Sequence, residues 1–219
     1  MNATREHIVR LADALIRQRG FNAFSYADIA AVLDIRNAAI HYHFATKSLL
    51  GQAVIEEELR RLEDYRNAHS KLGGDMQVRH LVEIFYHNSQ RSAVCLMGAL
   101  TPEFATFDAG MQTMVLRLCI AIREWVGDCL EEARNAGHLR FAGSAKDRAA
   151  LVVSTLLSSL LLSRVEGALT DGGWEPQAAG AGLFRRMIDQ LLEDLGAGWR
   201  VGDLPAAGPA GKEELYSFT

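Results

Sequence analysis

The stretch "IRNAAIHYHFATKSLL", residues 35–50, places two histidines and a tyrosine on a short predicted helix. At 100° per residue, Asn37, His41 and Tyr42 fall on one side of that helix and Ile40 falls on the other. The helix therefore has a polar outer face and an apolar inner face. Three interpretations of the outer face are open: a metal site, an ordinary solvated surface, or a surface that lies against another molecule.

The two histidines argue against the metal site. His41 and His43 are two residues apart and point away from each other, so one helix does not present both to one ion. No cysteine or acidic residue lies nearby to complete a ligand set. We therefore predict neither a metal nor a cofactor for this chain.

Recognition of DNA fits the pattern better. Apolar spacing predicts short helices at 26–33 and 37–43, joined by the tight link "DIR". A helix pair of this kind, packed on a preceding helix, can project its second member into a major groove about 12 Å wide. Asn37 has the amide geometry to read adenine, and Tyr42 and Lys47 suit phosphate contacts.

The segment "FSYADIAAVLDIRNAAIHYHFATKSLL", residues 24–50, resembles the helix-turn-helix of the TetR family of bacterial transcriptional regulators. The resemblance covers about residues 5–55 and rests on Ser25 at the cap, Ile29-Ala30, and the run from His41 to Lys47. Asp34 stands where the family has a turn glycine, and His41 where it has tyrosine. A short Asp side chain tolerates the left-handed backbone that such a turn requires.

The resemblance implies roles for individual residues. Arg36, Asn37, Ala39 and His41 become candidate base readers. The candidate phosphate contacts are Ser25, Tyr42 and Lys47, while Ile40 and Phe44 pack the module.

Charge and composition agree with this interpretation. The 219-residue chain is 49% hydrophobic and 23% charged, with a net charge of −4, as expected of a globular protein. The first fifty residues carry six Lys/Arg against four Asp/Glu, and the remainder carry 17 against 23. The N-terminal module therefore accepts a polyanion better than the acidic body does.

The rest of the chain is predicted to be all-α, with about nine helices. We expect a DNA-binding domain at 1–48, a helical effector-binding and dimerisation domain at 49–197, and a loose tail at 198–219. Helical spacing and breaker residues predict the remaining helices at about 4–19, 47–69, 76–90, 93–102, 110–136, 145–169 and 176–195.

The most apolar run, residues 149–165, is shorter than the roughly 20 residues of a membrane span and contains Ser and Thr. A helix apolar on nearly all sides is more simply buried on two faces. With the amphipathic segment 183–195 it predicts a four-helix homodimer interface. The charged start "MNATREHIVR" shows no signal peptide, so we expect a cytoplasmic protein without membrane contact.

Met and aromatic residues at helical spacing mark either plain core or a small-molecule pocket. The sequence leaves both readings open and does not identify the molecule. The candidate ligand contacts are Phe85, His87, Cys95, Met97, Phe104, Phe107, Met111, Met114, Leu118, Ile122 and Trp125.

Cys95 lies in "SAVCLMGALTPEFATF", which resembles the start of the sixth helix in a TetR subgroup. The resemblance implies that some such proteins respond to electrophiles or small unsaturated acids. A helix N-terminus would lower the pKa of the Cys95 thiol, and Arg91 would add a positive neighbour. Cys119 and Cys129 are expected to be buried and inert. The alternative is that Cys95 is a small packed hydrophobic residue.

Two other classes of protein stay open at this point. An all-α enzyme would need a nucleophile–base set, a phosphate loop or metal ligands, and the sequence shows none of these at workable spacing. A helical adaptor would use the helix-turn-helix to bind protein. We expect a ligand-responsive DNA-binding regulator, a repressor by analogy with the family, that is released from a palindromic operator by a small molecule.

Overall fold

The computed structural model describes residues 3–90, 94–166 and 180–205, and within these ranges the chain is helical and has no strand. This confirms the all-α prediction. Of the predicted helix at 176–195, residues 176–179 lie outside the described ranges. The helices are α1 (Ala3–Arg19), α2 (Tyr26–Leu33), α3 (Asn37–His43), α4 (Lys47–Ala68), α5 (Gly74–Gln90), α6 (Leu96–Leu100), α7 (Ala109–Asn135), α8 (Ala145–Glu166) and α9 (Gly180–Asp194), with 3₁₀ helices at Thr101–Thr106 and Val201–Asp203.

Local sequence signals fix both ends of α2. The backbone N–H and the hydroxyl of Ser25 donate to one carboxylate oxygen of Asp28, at 2.7 and 2.6 Å. These bonds hold the pKa of Asp28 below its ordinary value. At the other end Asp34 adopts the left-handed conformation (φ 51°, ψ 47°), as its position in the turn predicts. Ile35 N–H then donates to Ala30 O at 3.1 Å, which closes the turn.

The chain divides into two compact units, whose boundaries fall inside α4 and α7. The first unit comprises the described residues up to Glu63 together with Cys95–Ile120. Its N-terminal part contains the residues of the predicted DNA-binding domain. Here α1 packs against α2, α3 and α6. The core side chains include Ile8, Ile16, Ile29, Ile40, Leu50, Leu96 and Met111.

Helix α1 also buries charge, which its apolar spacing does not predict. Asp13 and Arg17 are 4% and 5% exposed and form an ion pair at 2.7 Å. Arg17 also pairs with Glu58 of α4 at 2.9 Å, and Arg61 reaches Asp13 at 3.2 Å. Two acids and two guanidinium groups thus connect α1 to α4 within the first unit.

The second unit comprises Asp64–Val94 and the described residues from Ala121 onward. In it α5, α8 and α9 pack against one another. Gly74, the first residue of α5, lies so close to α7 that a Cβ there would be 2.1 Å from the carbonyl oxygen of Cys129. Only glycine permits this approach of two backbones.

Helix α8 buries one face and exposes another. Ala149, Val152, Leu156 and Leu160 are no more than 1% exposed, whereas Leu151, Leu162 and Val165 are 55%, 49% and 61% exposed. By length and composition Ala145–Val165 could cross a membrane, with 39% of its apolar window buried. One such helix is weak evidence of a span, since the core helix of a soluble protein also meets this criterion.

The predicted loose tail is wrong over its first residues. Val201 and Leu204 are buried, and the 3₁₀ helix at Val201–Asp203 packs on α5 and α9. Val201 N–H donates to Asp189 at 2.8 Å, and Arg79 donates to Asp203 O at 2.9 Å. The Gly- and Pro-rich composition predicted a loose segment, but Val201 and Leu204 are apolar and pack here. Residues 206–219 lie outside the described ranges.

Candidate functional site

The polar outer face of α3 is exposed, as its helical pattern predicts. Asn37, His41 and Tyr42 are exposed, Tyr42 at 85%, while Ile40 is fully buried. Buried Phe44 ends the helix. The inner face therefore fixes α3 to the unit and leaves the polar side chains to solvent.

Tyr26, at the start of α2, anchors the end of α3. Its buried hydroxyl donates to Phe44 O at 2.9 Å. Its ring meets the His41 ring edge-on at a centroid distance of 4.7 Å. Burial raises the pKa of Tyr26, so the hydroxyl keeps its proton and remains a donor. The two helices are thus held at a fixed angle by one hydrogen bond and one ring contact.

The other predicted base readers and phosphate contacts differ in accessibility. Arg36, at the N-cap of α3, is exposed, and Ala39 is only half-exposed because it lies toward the inner face. Ser25 is exposed, but its hydroxyl proton is directed to Asp28. Because Arg36 is exposed at the N-cap of α3, its side chain can extend outward from the start of that helix.

Lys47, a predicted phosphate contact, has its ammonium against the α1–α2 connection. Its ammonium donates to the carbonyl oxygen of Phe24 and lies 4.2 Å and 4.7 Å from the ring centroids of Phe24 and Phe21. Burial lowers its pKa, partly offset by the charges of Glu103 and Asp28. In this conformation the cation stabilises the α1–α2 connection.

That connection has a second anchor that the sequence does not reveal. Asn22 N–H donates to Glu103 Oε2 at 3.0 Å, and the Asn22 side chain donates to Thr106 Oγ1 at 2.9 Å. Gly20, at φ +93°, lies against the same carboxylate. The 3₁₀ helix after α6 therefore holds the entry to α2, although 81 residues separate Asn22 from Glu103.

The predicted ligand contacts are divided between the two units. In the first unit Met114 is half-buried and Phe104 is 39% exposed, so Phe104 is not a core residue. The fully packed members of that unit are Cys95, Met97, Phe107, Met111 and Leu118. In the second unit Phe85 and Trp125 are buried, and Ile122 and His87 are half-buried. The Nε2 atom of His87 is buried and has no hydrogen-bond partner among the described residues.

An aromatic and amide cluster in the second unit was not predicted. Tyr65, 6% exposed, stacks on His69 at 4.0 Å and meets Trp125 edge-on at 5.5 Å. Gln77 Oε1 accepts from Trp125 Nε1 at 3.1 Å and from Cys129 Sγ at 3.5 Å. The only sequence signal was an aromatic residue within the polar run "RLEDYRNA".

The prediction that Cys95 has a lowered pKa is wrong. Its thiol is 6% exposed, and burial raises its pKa to about 11. The N–H of Gly98 does donate to Sγ at 3.4 Å, but this weak interaction is outweighed by desolvation. Arg91, the expected positive neighbour, lies outside the described residues. Cys95 therefore packs as a neutral hydrophobic group.

The other two thiols also differ from each other. Burial raises the pKa of Cys129 to about 12, in agreement with the expected inert thiol. Cys119, expected to be buried, is half-exposed. In the described ranges no three His, Cys, Asp or Glu side chains are grouped closely enough to hold a metal ion.

A short exposed polar helix, fixed by α1 and α2 through a left-handed turn, defines a helix-turn-helix DNA-binding protein. Residues 8–54 match the family model of bacterial regulatory proteins of the tetR family. The N-terminal part of the chain therefore matches this family over its helix-turn-helix.

Similar proteins cover most of the chain. It is 23% identical over 170 residues to the HTH-type transcriptional repressor DhaR of Mycobacterium sp. strain GP1, covering 75% of this chain and 80% of that protein. A TetR-family regulator from Agrobacterium tumefaciens has a similar structure, with a TM-score of 0.75, 24% identity, and coverage of 88% and 97%. The SmeT–triclosan complex is similar at a TM-score of 0.64 and 21% identity, with coverage of 95% and 100%.

Proposed function

We propose that this protein is a transcriptional repressor that binds a twofold-symmetric operator through residues 25–47 and leaves it when a small molecule binds. The observation that carries the proposal is the exposed polar face of α3 on a buried, tethered scaffold. The match to the tetR family model and the similarity to the repressor DhaR support it. Such a protein acts where the DNA is, in the cytoplasm.

Base reading falls to the exposed side chains of α3. Asn37 presents an amide that pairs with adenine, and Arg36 and His41 supply donors for guanine. Tyr42, at 85% exposure, reaches a phosphate from the same face. Lys47 contributes mainly by holding the α1–α2 connection, because its ammonium already has a carbonyl and two rings as partners.

The operator's symmetry follows from a proposed homodimer. Leu151, Leu162 and Val165 form an exposed apolar stripe along α8. A second copy of the chain suits this stripe, because two recognition helices one DNA turn apart require twofold symmetry. Leu183 and Met187 of α9 are half-exposed and would extend the same surface. Two helices from each subunit would then form the interface.

The effector is proposed to bind the helical body. SmeT, a structural neighbour, has been solved in a complex with triclosan, and this supports the proposal. In this chain Phe85, His87, Ile122 and Trp125 are the predicted contacts of the second unit. The buried Nε2 of His87, which has no partner in the part of the chain that the structure describes, provides one polar group for orientation.

Operator selection followed by mobility-shift titration tests the DNA-binding proposal. Asn37→Ala should cost about 1–3 kcal/mol on the selected site and relax one base position in each half-site. Asn67→Ala, at an exposed asparagine on α4, is the matched control and should bind as wild type does. Affinity should also fall steeply with salt.

Two results would contradict the proposal. If no duplex is enriched from a random pool, the helix-turn-helix has another partner. If Asn37→Ala weakens binding to every sequence equally, Asn37 is a phosphate or scaffold residue, and base reading must be assigned to Arg36 or His41.

A further inference from the structure

One buried polar atom in the second unit lacks the partner that its neighbours have. The Tyr65 hydroxyl is buried and receives no hydrogen bond from the described residues. Around it, Trp125 Nε1 and Cys129 Sγ both donate to Gln77 Oε1, and Gln77 Nε2 donates to Leu72 O at 3.0 Å. Protein interiors rarely leave such a group unpaired, because it loses its bonds to water.

Neighbouring rings hold the Tyr65 ring in place, so rotation of the side chain does not bring the hydroxyl to a hydrogen-bond partner. His69 stacks on the ring at an interplanar angle of 27°, and Trp125 makes a T-shaped contact with it at 78°. His69 Nδ1 is in turn bonded to Tyr65 O at 2.9 Å. The hydroxyl is therefore held at one place, buried and without a hydrogen-bond partner among the described residues.

We propose that the Tyr65 hydroxyl is the polar anchor of the effector site and donates a hydrogen bond to a neutral acceptor, such as a carbonyl oxygen, on an aromatic or apolar small molecule. The proposal rests on the proposed function, because it assumes that a small molecule controls the regulator. It adds the residue that orients the effector and the chemical class that the residue selects.

The surroundings of Tyr65 favour a neutral group over an anion. Burial raises the pKa of the phenol above its ordinary value, and proximity to Cys129 and Glu83 raises it further. The hydroxyl is thus a donor at every physiological pH. The potential that disfavours a phenolate here also disfavours a bound carboxylate, and the Trp125 edge supplies apolar contact.

Three small probes of similar shape distinguish a neutral acceptor from an apolar group and from an anion: acetophenone, α-methylstyrene and benzoate. Acetophenone has the neutral acceptor, α-methylstyrene replaces that oxygen with carbon, and benzoate carries a charge. Ligand-observed NMR titration of the full chain without DNA should give the tightest Kd for acetophenone. Tyr65→Phe should weaken acetophenone binding roughly 3- to 10-fold, the range expected for one neutral hydrogen bond, and leave α-methylstyrene unchanged.

Tyr86→Phe is the matched control. The Tyr86 hydroxyl already has Arg185 Nη2 at 3.5 Å, so its removal should not alter the ratio of acetophenone to α-methylstyrene affinities. Without any probe, Tyr65→Phe should keep or raise the Tm, since it removes an unpartnered buried hydroxyl.

Each other outcome overturns the assignment. A lower Tm for Tyr65→Phe would show that the hydroxyl has a structural partner. Failure of folded wild type to bind acetophenone, tighter binding of benzoate, or an equal effect on all three probes would each remove Tyr65 as the anchor. Operator binding by the same preparations is measured separately, so loss of the anchor and loss of the regulator function give different results.

Discussion

The guanidinium of Arg17 on α1 donates to the carboxylate of Glu58 on α4 at 2.9 Å, with side chains only 4% and 8% exposed. Asp13 and Arg61 complete the cluster. Burial raises the pKa of Glu58, and the charge of Arg17 opposes that shift. The helix that supports the DNA-binding pair is thereby coupled to α4 by an ion pair that is almost entirely buried.

Removing Arg17 should therefore be far more damaging than removing a surface cation. Arg17→Met leaves the buried acids Asp13 and Glu58 with only the partly exposed Arg61 as counter-ion, and should lower the free energy of unfolding by about 3–5 kcal/mol. Arg60→Met breaks an exposed pair with Glu57 and should cost less than about 1 kcal/mol. Urea denaturation of both variants makes the comparison. Similar losses for the two would show that the Arg17 cluster is solvated.

The tether from Tyr26 to Phe44 should matter for both stability and DNA binding. Tyr26→Phe deletes a buried hydrogen bond and leaves Phe44 O unsatisfied, which should cost about 1–3 kcal/mol. Operator affinity should fall with it, because the end of α3 loses its anchor. Tyr42→Phe, at the exposed position, should leave stability within about 0.5 kcal/mol of wild type. A stable Tyr26→Phe protein with normal operator affinity would contradict this role.

A Cβ at residue 74 should disrupt the second unit. In Gly74→Ala the new methyl group would lie 2.1 Å from Cys129 O, so one backbone must move, at a cost of about 1–3 kcal/mol. Gly202→Ala adds the same atom where nothing lies within 4 Å and should be nearly neutral. Thermal denaturation followed by circular dichroism would test the pair. Equal Tm values would mean that the α5–α7 approach is looser than the structure shows.

Thiol labelling should follow exposure and pKa. At pH 8 a thiol of pKa about 11, as for Cys95, is thiolate in only about one molecule in a thousand, and Cys129 is still less ionised. Cys119 should therefore react first with iodoacetamide, and Cys119→Ser should remove the fast phase. Raising the pH toward 11 should accelerate labelling of Cys95 through thiolate formation. Rapid labelling of Cys95 at pH 8, with loss of operator binding, would restore the sensor hypothesis.

Disruption of the α8 stripe should yield monomers. Leu162→Glu places a charge at a residue that is 49% exposed, so it spares the subunit core and acts on the proposed interface. Sedimentation velocity at micromolar concentration should show about twice the 24.1 kDa chain mass for wild type and a single chain mass for the variant. Leu116→Glu, at 54% exposure on α7, should remain dimeric. A monomeric wild type would refute the dimer.

The sequence by itself determined the local features of the DNA-binding module. The cap at Ser25, the left-handed turn at Asp34 and the two faces of α3 depend on residues within a few positions of each other. These features can therefore be predicted from residue spacing without knowledge of the rest of the chain. The all-α class follows for the same reason, since helical periodicity is a local property.

The tertiary structure alone decided the environments of the functional side chains. Four features depend on neighbours that helix packing brings together: the burial of Arg17 with Glu58, the inward position of Lys47, the raised pKa of Cys95, and the Tyr65 hydroxyl, which has no partner among the described residues. The sequence spacing of Cys95 suggested a reactive thiol at a helix terminus. Packed side chains remove the Cys95 thiolate from water, and the loss of its solvation raises the pKa. The weak hydrogen bond from the Gly98 N–H is too small to offset that loss.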